Sequence, residues 1–189
     1  MRIAFVTTNK HKFREVTDIL KSYPVELEHL DMEYEENHDD SMDDLAAGAA
    51  KKLAAELNQP IVLEDTGLFF TAYPGFPGAL PKFVFNTLGY EGIFKLLAGT
   101  TRQAYFKTVA GFCQPNQTPQ LFTGIMRGTI TEEVFDADKD AMPYDRIFIH
   151  QGKTKTNSAM TLVEKNAFSQ RAQAFRQFGE YIKIHDRPD

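Results

Sequence analysis

The chain contains no tryptophan and a single cysteine, Cys113, among its 189 residues. One cysteine cannot form an internal disulfide, and its alternating apolar surroundings indicate a core thiol without a chemical role. No run of about 18 apolar residues is present, so we expect no membrane-spanning helix. The N-terminus becomes polar too early for a secretory signal, and a cytoplasmic location is therefore the expectation.

Basic residues are also scarce, because 21 Lys and Arg stand against 26 Asp and Glu, a formal net charge of -5. A protein that binds long nucleic acid through its overall field needs a basic surface, so we expect no such partner. The net charge does not exclude binding of small phosphorylated ligands. Apolar residues make up 42% of the chain and 16 residues are Phe, enough for one large domain or two small lobes with a proper core.

Hydrophobic periodicity predicts a mixed α/β fold without a clean domain boundary. Ser41 is a good cap for a periodic helix that Pro60 ends, and Gly89 should stop another helix. Thr161 and Glu164 form a capping-box pattern, which predicts one last helix running past residue 178. Strand patterns cover residues 2–6, 25–30, 61–63, 103–113, 121–130 and 147–150, and the turn-rich segment after residue 113 predicts a hairpin.

Two adjacent carboxylates, Glu64 and Asp65, follow the apolar run at residues 61–63 and should mark the end of a strand. Ligands of open α/β sheets gather at such ends, and buried carboxylates need a cation or hydrogen-bond donors. Neighbours on a strand point to opposite faces, so one acid should dominate. Asp65, nearer the loop, is the better Mg²⁺ ligand, whereas Glu64 could be a second ligand, a water-orienting base or a structural acceptor.

The polar segment after the first strand, residues 7–12, opens a helix where backbone N–H groups attract anions. Lys12 would add a point charge to a phosphate there. The alternative, an ordinary polar cap with solvated lysines, is favoured on this segment alone.

Two further segments could contact a nucleobase. Tyr144 and Asp145 precede a short strand and could stack on a base and hydrogen-bond to it, although a plain turn explains them equally well. Lys165, Gln170 and Arg171 lie on the last predicted helix, where surface solvation is the default interpretation.

Three segments taken together resemble the inosine triphosphate pyrophosphatase family over nearly the whole chain. They are FVTTNKHKFREV, similar to T-G-N-x-x-K-x-x-E; LEDTGLFFTAYPGFPGALPKF, similar to E-D-[ST]-G-L followed by G-x-P-G; and KNAFSQRAQA, similar to K-x-x-x-S-H-R. The resemblance implies one family domain over residues 1–189. Its expected fold is a long curved mixed sheet flanked by helices, with two lobes, a nucleotide cleft and a homodimeric assembly.

The activity that the resemblance implies is Mg²⁺-dependent hydrolysis of non-standard purine nucleoside triphosphates, such as ITP, dITP and XTP, to monophosphate and pyrophosphate. Glu33 and Asp65 would hold the metal, and Asp65, Glu64 and Lys12 would form the catalytic set. The implied phosphate contacts are Thr7, Thr8, Asn9, Lys12, Thr66 and Lys82, and the implied base-side residues are Tyr144, Asp145, Lys165, Gln170 and Arg171.

Departures from the family pattern concentrate on the base side. Met142 and Pro143 replace the aromatic residue and glycine of the family's F-G-[YW]-D-P turn. Gln170 stands where the K-x-x-x-S-H-R motif has its histidine. Thr8 replaces a glycine in the first turn. Two alternatives therefore stay open: a nucleotide-binding or regulatory protein without turnover, and a pyrophosphatase for a different modified nucleotide.

Overall fold

The computed structural model describes residues 1–34 and 41–185, in which helices and strands alternate over the first half of the chain. The strands are β1 Arg2–Val6, β2 Glu26–Leu30, β3 Ile61–Phe70, β4 Pro77–Gly78, β5 Gln103–Cys113, β6 Gln120–Ile130 and β7 Phe148–His150. The α-helices are α1 Lys10–Leu20, α2 Met42–Leu57, α3 Pro81–Leu96, α4 Leu162–Asn166 and α5 Gln170–His185, and short 3-10 helices cover Pro143–Arg146 and Asn157–Ala159. The predicted mixed α/β class is confirmed.

Within residues 1–34 and 41–185, the seven strands belong to one mixed sheet in the order β2-β1-β3-β5-β6-β7, with β4 paired to β3. Strand β1 is parallel to both β2 and β3, so that Phe5 lies opposite His29 on one side and Val62 on the other. The β3–β4 and β6–β7 pairs are antiparallel. The parts of β1 and β3 that pair in parallel are apolar and buried, as is typical of parallel strands covered on both faces.

Strand β3 does not end at its two carboxylates, and that prediction was wrong. The strand continues through Phe70, so Glu64 and Asp65 lie inside it. We expected the charges to terminate the strand because a buried carboxylate without a partner is destabilising. Glu64 stays in the sheet because cationic side chains from distant parts of the chain neutralise it, as described below.

Most of the helix starts and stops that the sequence predicts are present in the structure. Asn9 and Ser41 cap α1 and α2 through their side-chain oxygens. Gly89, with φ of 60°, interrupts α3 where a stop was predicted. The capping box at Thr161 is present, but it opens only the short helix α4. A second helix, α5, begins at Gln170, so the prediction of one continuous last helix was wrong.

The chain forms two compact units. Unit 1 comprises Met1–Asp65, Thr108–Gly124 and the residues from Gln170 onward, and unit 2 comprises Thr66–Lys107 and Ile125–Ser169. Each unit has its own hydrophobic core. The core of unit 1 includes Phe5, Val16, Phe112, Phe175 and Phe178, and that of unit 2 includes Phe70, Ile93, Phe106, Tyr144 and Phe148. No helix within residues 1–34 and 41–185 has the length and apolar composition that crossing a bilayer demands.

Candidate active site

The turn between β1 and α1 uses its side chains mainly to cap the helix. Asn9 Oδ1 accepts the backbone N–H groups of His11 at 3.0 Å and Lys12 at 3.2 Å, and Thr7 Oγ1 accepts that of Asn9 at 3.1 Å. His29 Nε2 lies 2.8 Å from the carbonyl oxygen of Thr7. Three backbone donors that the sequence seemed to offer to an anion are therefore already bonded. Side-chain groups must supply most of any phosphate contact here.

Four charged side chains of unit 1 form a buried ion cluster, composed of Lys12, Glu15, Glu64 and Arg171. Arg171 donates from Nε to Glu64 Oε2 at 3.2 Å and from Nη2 to Glu64 Oε1 at 3.1 Å. Its Nη1 contacts Glu15 Oε2, and Lys12 Nζ lies 2.9 Å from Glu64 Oε1. Two positive and two negative groups meet in this ion cluster, so its formal charge is zero.

Electrostatics in the ion cluster keep Glu64 ionised. Burial alone would raise the pKa of Glu64, but Arg171 and Lys12 outweigh it and lower the pKa to about 2. For Arg171, burial opposes the charge, while Glu64 and Glu15 raise the pKa above its ordinary value. A carboxylate with so low a pKa is a poor proton acceptor near neutral pH. Of the three roles considered for Glu64, this favours the structural acceptor.

Lys12 is the outward member of the ion cluster. Its side chain is 21% exposed, whereas those of Arg171 and Glu64 are 1% and 0% exposed. Glu64 therefore holds the ammonium group in place, while part of the Lys12 side chain stays accessible to solvent. A positioned cation of this kind is suited to bind a phosphate group.

Asp65 follows Glu64 on β3 and lies half-buried in a different environment. It lines a small pocket with Tyr34, Leu45 and Ala46, and the carboxylate of Glu33 is exposed one residue before Tyr34. Within residues 1–34 and 41–185, no three His, Cys, Asp or Glu side chains are grouped closely enough to hold a metal ion on their own. Mg²⁺ commonly binds through one or two carboxylates, water and substrate phosphates, so these oxygen donors fit that ion.

A second buried ion pair lies in unit 2. Lys165 Nζ is 2.6 Å from Asp145 Oδ2, and Asn157 Nδ2 donates to Asp145 Oδ1 at 3.2 Å. The three residues are between 2% and 8% exposed. The structure thus brings together two of the predicted base-side residues, Asp145 and Lys165, with a third residue that was not predicted.

Tyr144, predicted as a base-stacking candidate, lies in the core of unit 2. Its hydroxyl donates to the carbonyl oxygen of Pro81 at 3.1 Å, and its ring meets Phe85 and Phe106 with centroid distances of 5.9 and 6.4 Å. Burial raises the pKa of the phenol. Tyr144 therefore connects the turn at Asp145 to the first turn of α3.

The remaining predicted residues occupy contrasting positions. Thr66 is half-buried on β3 and Lys82 is exposed at the start of α3. The surface interpretation was wrong for Lys165, Gln170 and Arg171, which are 6%, 5% and 1% exposed. Arg171 belongs to the ion cluster, and the buried Gln170 Oε1 accepts no hydrogen bond from any residue in the described part of the chain.

Glu15 and Asn157 were not predicted from the sequence as site residues. A signal for Glu15 existed, because it stands three residues after Lys12 and therefore shares its helix face. It also occupies the final position of the T-G-N-x-x-K-x-x-E pattern. Asn157 carries no such signal, since an asparagine in a polar turn is ordinary.

Comparison with known proteins identifies the family. The model of the Ham1 family matches residues 3–181. The dITP/XTP pyrophosphatase of Methanopyrus kandleri is 41% identical over 184 residues, covering 97% of each chain, and that of Pyrococcus horikoshii is 37% identical over 186 residues, covering 98% of each. A HAM1 protein from Coxiella burnetii has the same fold, with a TM-score of 0.82, 21% identity and coverage of 97% of this chain and 99% of its own. The resemblance inferred from sequence is confirmed, and the chain belongs to the Ham1 family.

Proposed function

We propose that this protein is a Mg²⁺-dependent pyrophosphatase that hydrolyses non-standard purine nucleoside triphosphates, such as ITP, dITP and XTP, to monophosphate and pyrophosphate. The observation that carries the proposal is the state of Lys12. Its ammonium group lies 2.9 Å from buried Glu64, its side chain is 21% exposed, and it belongs to the same unit as the Asp65 pocket. Full-length relatives at 37–41% identity that are named dITP/XTP pyrophosphatases support the reaction and the substrate class.

On the phosphate side, Lys12 supplies the positioned charge that a polyanion needs. The hydroxyl groups of Thr7 and Thr8 and the amide of Asn9 are proposed to bind phosphate oxygens beside it. The family resemblance adds Thr66 and Lys82 as further phosphate contacts. Exposed Lys82 can move to a phosphate, whereas the ion cluster holds Lys12 in place beforehand, so Lys12 should contribute more to catalysis.

Asp65 and Glu33 are proposed to hold Mg²⁺ together with substrate oxygens. When bound, the ion neutralises phosphate charge and makes a bound water more acidic. Glu64 has both oxygens engaged by Arg171 and Lys12. Asp65 is therefore the carboxylate that we assign to orienting the attacking water.

On the base side, Asp145 and Lys165 are proposed to hydrogen-bond to the purine edge, and the family resemblance adds Gln170 as a further base-side residue. Tyr144 is proposed to position Asp145, because its ring and hydroxyl are engaged within unit 2. Arg171 is proposed to act through Glu64, because the ion cluster occupies its guanidinium group.

Product analysis tests the reaction. Purified protein with Mg²⁺ is incubated with ITP, dITP, XTP, GTP and ATP, and pyrophosphate, orthophosphate and nucleoside monophosphate are measured separately. We expect equal amounts of pyrophosphate and monophosphate from ITP, dITP and XTP, with loss of activity in excess EDTA. Release of orthophosphate alone would contradict the proposal. Tight nucleotide binding without any product would instead support the nucleotide-binding alternative.

The homodimer implied by the family resemblance is part of the same proposal. Light scattering coupled to size-exclusion chromatography at the assay concentration measures the mass of the assembly. A mass of about twice the 21.4 kDa chain supports a dimer, and a mass near that of one chain contradicts it.

A further inference from the structure

Asp145 is held from two sides by groups of different charge. Lys165 Nζ lies 2.6 Å from Oδ2, and Asn157 Nδ2 donates to Oδ1 at 3.2 Å. Both carboxylate oxygens are thus fixed, one by a cation and the other by a neutral amide. The direction in which Asp145 presents its remaining lone pairs depends on both partners.

The orientation of the Asn157 amide follows from the chemistry of its partner. An ionised carboxylate only accepts hydrogen bonds, so the NH₂ group must face Asp145 and Oδ1 must point elsewhere. That Oδ1 is buried and accepts no hydrogen bond from any residue within 1–34 and 41–185. A buried acceptor without a bond is destabilising. The bond from Nδ2 to Asp145 is the stabilising contact that the amide side chain makes here.

The backbone around Asn157 is fixed as well. The hydroxyl groups of its two neighbours, Thr156 and Ser158, are 3.0 Å apart, and Ser158 Oγ donates to Asp136 Oδ2 at 2.9 Å. Asn157 itself is 2% exposed. Burial and these neighbouring hydrogen bonds restrict its movement, so Asn157 is suited to support Asp145.

The side chains of Lys165 and Asp145 keep 8% and 12% of their surface exposed. A ligand that reaches this pair meets a hydrogen-bond donor next to an acceptor, with Asn157 behind them. Hypoxanthine and xanthine, like guanine, present the complementary pattern, the O6 acceptor next to the N1–H donor. Adenine presents the reverse pattern, an amino donor next to the unprotonated N1.

We infer that Asn157 is a specificity-determining positioning residue. By holding Asp145 as an acceptor beside Lys165, it makes the pair accept the edge shared by 6-oxopurines and reject that of adenine. This inference rests on the proposed function, because it assumes that Asp145 and Lys165 meet the base.

Two substitutions test the role of Asn157. Asn157→Asp keeps the size but replaces the donor with a second carboxylate, so Asp145 is either repelled or shares a proton, and its acceptor role is lost. Asn157→Leu keeps a similar volume and removes all hydrogen bonding. The kcat/KM values for ITP, GTP and ATP are compared by pyrophosphate release. We expect the ITP to ATP ratio to fall about tenfold or more in both variants, while the ITP to GTP ratio stays at the wild-type value.

Asn86→Asp is the matched control, because it makes the same change at an exposed position of α3 and should keep both ratios. Thermal unfolding verifies that each variant is folded. An equal loss for all three nucleotides, or an unchanged ITP to ATP ratio, would overturn the inference while leaving the proposed function in place. Dissociation constants for the three nucleotides can be compared in the same way without turnover. They test the role of Asn157 even if the wild type releases no pyrophosphate and the proposed function fails.

Discussion

Arg171 donates one hydrogen bond to each carboxylate oxygen of Glu64, at 3.2 and 3.1 Å, and both side chains are almost completely buried. Glu15 and Lys12 complete the charge balance from α1. A buried ion pair contributes little net stability compared with apolar packing, but removing one partner leaves an uncompensated charge. The ion cluster therefore acts as a single element that joins α1, β3 and α5, with Lys12 as its most exposed member.

Replacing Arg171 should be strongly destabilising. Arg171→Met removes the guanidinium group that contacts both Glu15 and Glu64, so we expect the free energy of unfolding to fall by about 3–5 kcal/mol. Urea denaturation monitored by circular dichroism measures it. Arg176→Met, on the exposed side of the same helix, is the control and should change stability by about 0.5 kcal/mol or less. Similar losses in both variants would show that the ion cluster has no special role.

Glu64 should make the protein sensitive to acid. Its pKa is lowered from 4.5 to about 2 in the folded state, so its stabilising contribution is complete above pH 4.5 and is lost as the pH falls toward about 2. We expect the melting temperature to fall over this range in the wild type and to fall less in Glu64→Gln. Thermal melts between pH 7 and the acid limit provide the measurement.

Exposed Glu164 provides the comparison for that experiment. Its pKa is also lowered to about 2, first by Lys155 and then by Thr161, but it is solvent-accessible. Its contribution should shrink in about 1 M salt, where the screening length is about 3 Å, whereas that of buried Glu64 should persist. If high salt removes the whole acid response, the response belongs to surface pairs.

Lys12 should be important for activity more than for folding. Lys12→Met removes the positioned charge, and we expect kcat/KM for ITP to fall about 10²–10³-fold. Inhibition by inorganic tripolyphosphate should weaken in parallel, because that ligand has phosphates and no base. Lys10→Met, at an exposed neighbouring position, should keep wild-type activity and inhibition. Wild-type inhibition of Lys12→Met by tripolyphosphate would remove Lys12 from the phosphate site.

Features of the fold that depend on neighbouring residues could be predicted from the sequence. The caps Asn9 and Ser41 satisfy backbone donors within three residues of themselves. Gly89 breaks α3 because its positive φ is a property of that one residue. Apart from the short strand β4 and the division of the last helix into α4 and α5, the order of strands and helices followed from the same local patterns.

Features that depend on distant partners could not be predicted in this way. Glu64 stays inside β3 because Arg171, 107 residues away, neutralises it. Asp145 and Lys165 are 20 residues apart, and nothing in their segments indicates the direct contact between them. For the same reason Arg171 appeared to be a surface residue of the last predicted helix. The candidate site was therefore recognised through family motifs, while its charge pairing required the structure.

Asp65 and Glu33 should differ in how strictly activity depends on them. Asp65→Asn removes the carboxylate assigned both to the metal and to the attacking water, so pyrophosphate release should be abolished while the melting temperature stays close to that of the wild type. Glu33→Gln should retain activity but require a higher Mg²⁺ concentration for half-maximal rate, since only one ligand is weakened. Full activity of Asp65→Asn at the wild-type Mg²⁺ requirement would exclude it from the metal site.

Tyr144 gives a prediction that separates a core residue from a base-stacking one. Burial raises its pKa, so its phenol should stay protonated in the folded protein at a pH where exposed tyrosines ionise. In an ultraviolet titration, Tyr144→Phe should leave the folded-state transition unchanged and remove one tyrosine from the transition seen on unfolding. Loss of the hydroxyl bond to Pro81 should lower stability by about 1 kcal/mol. A folded-state transition that shrinks in Tyr144→Phe would place this ring at an accessible surface, where it could stack on a base.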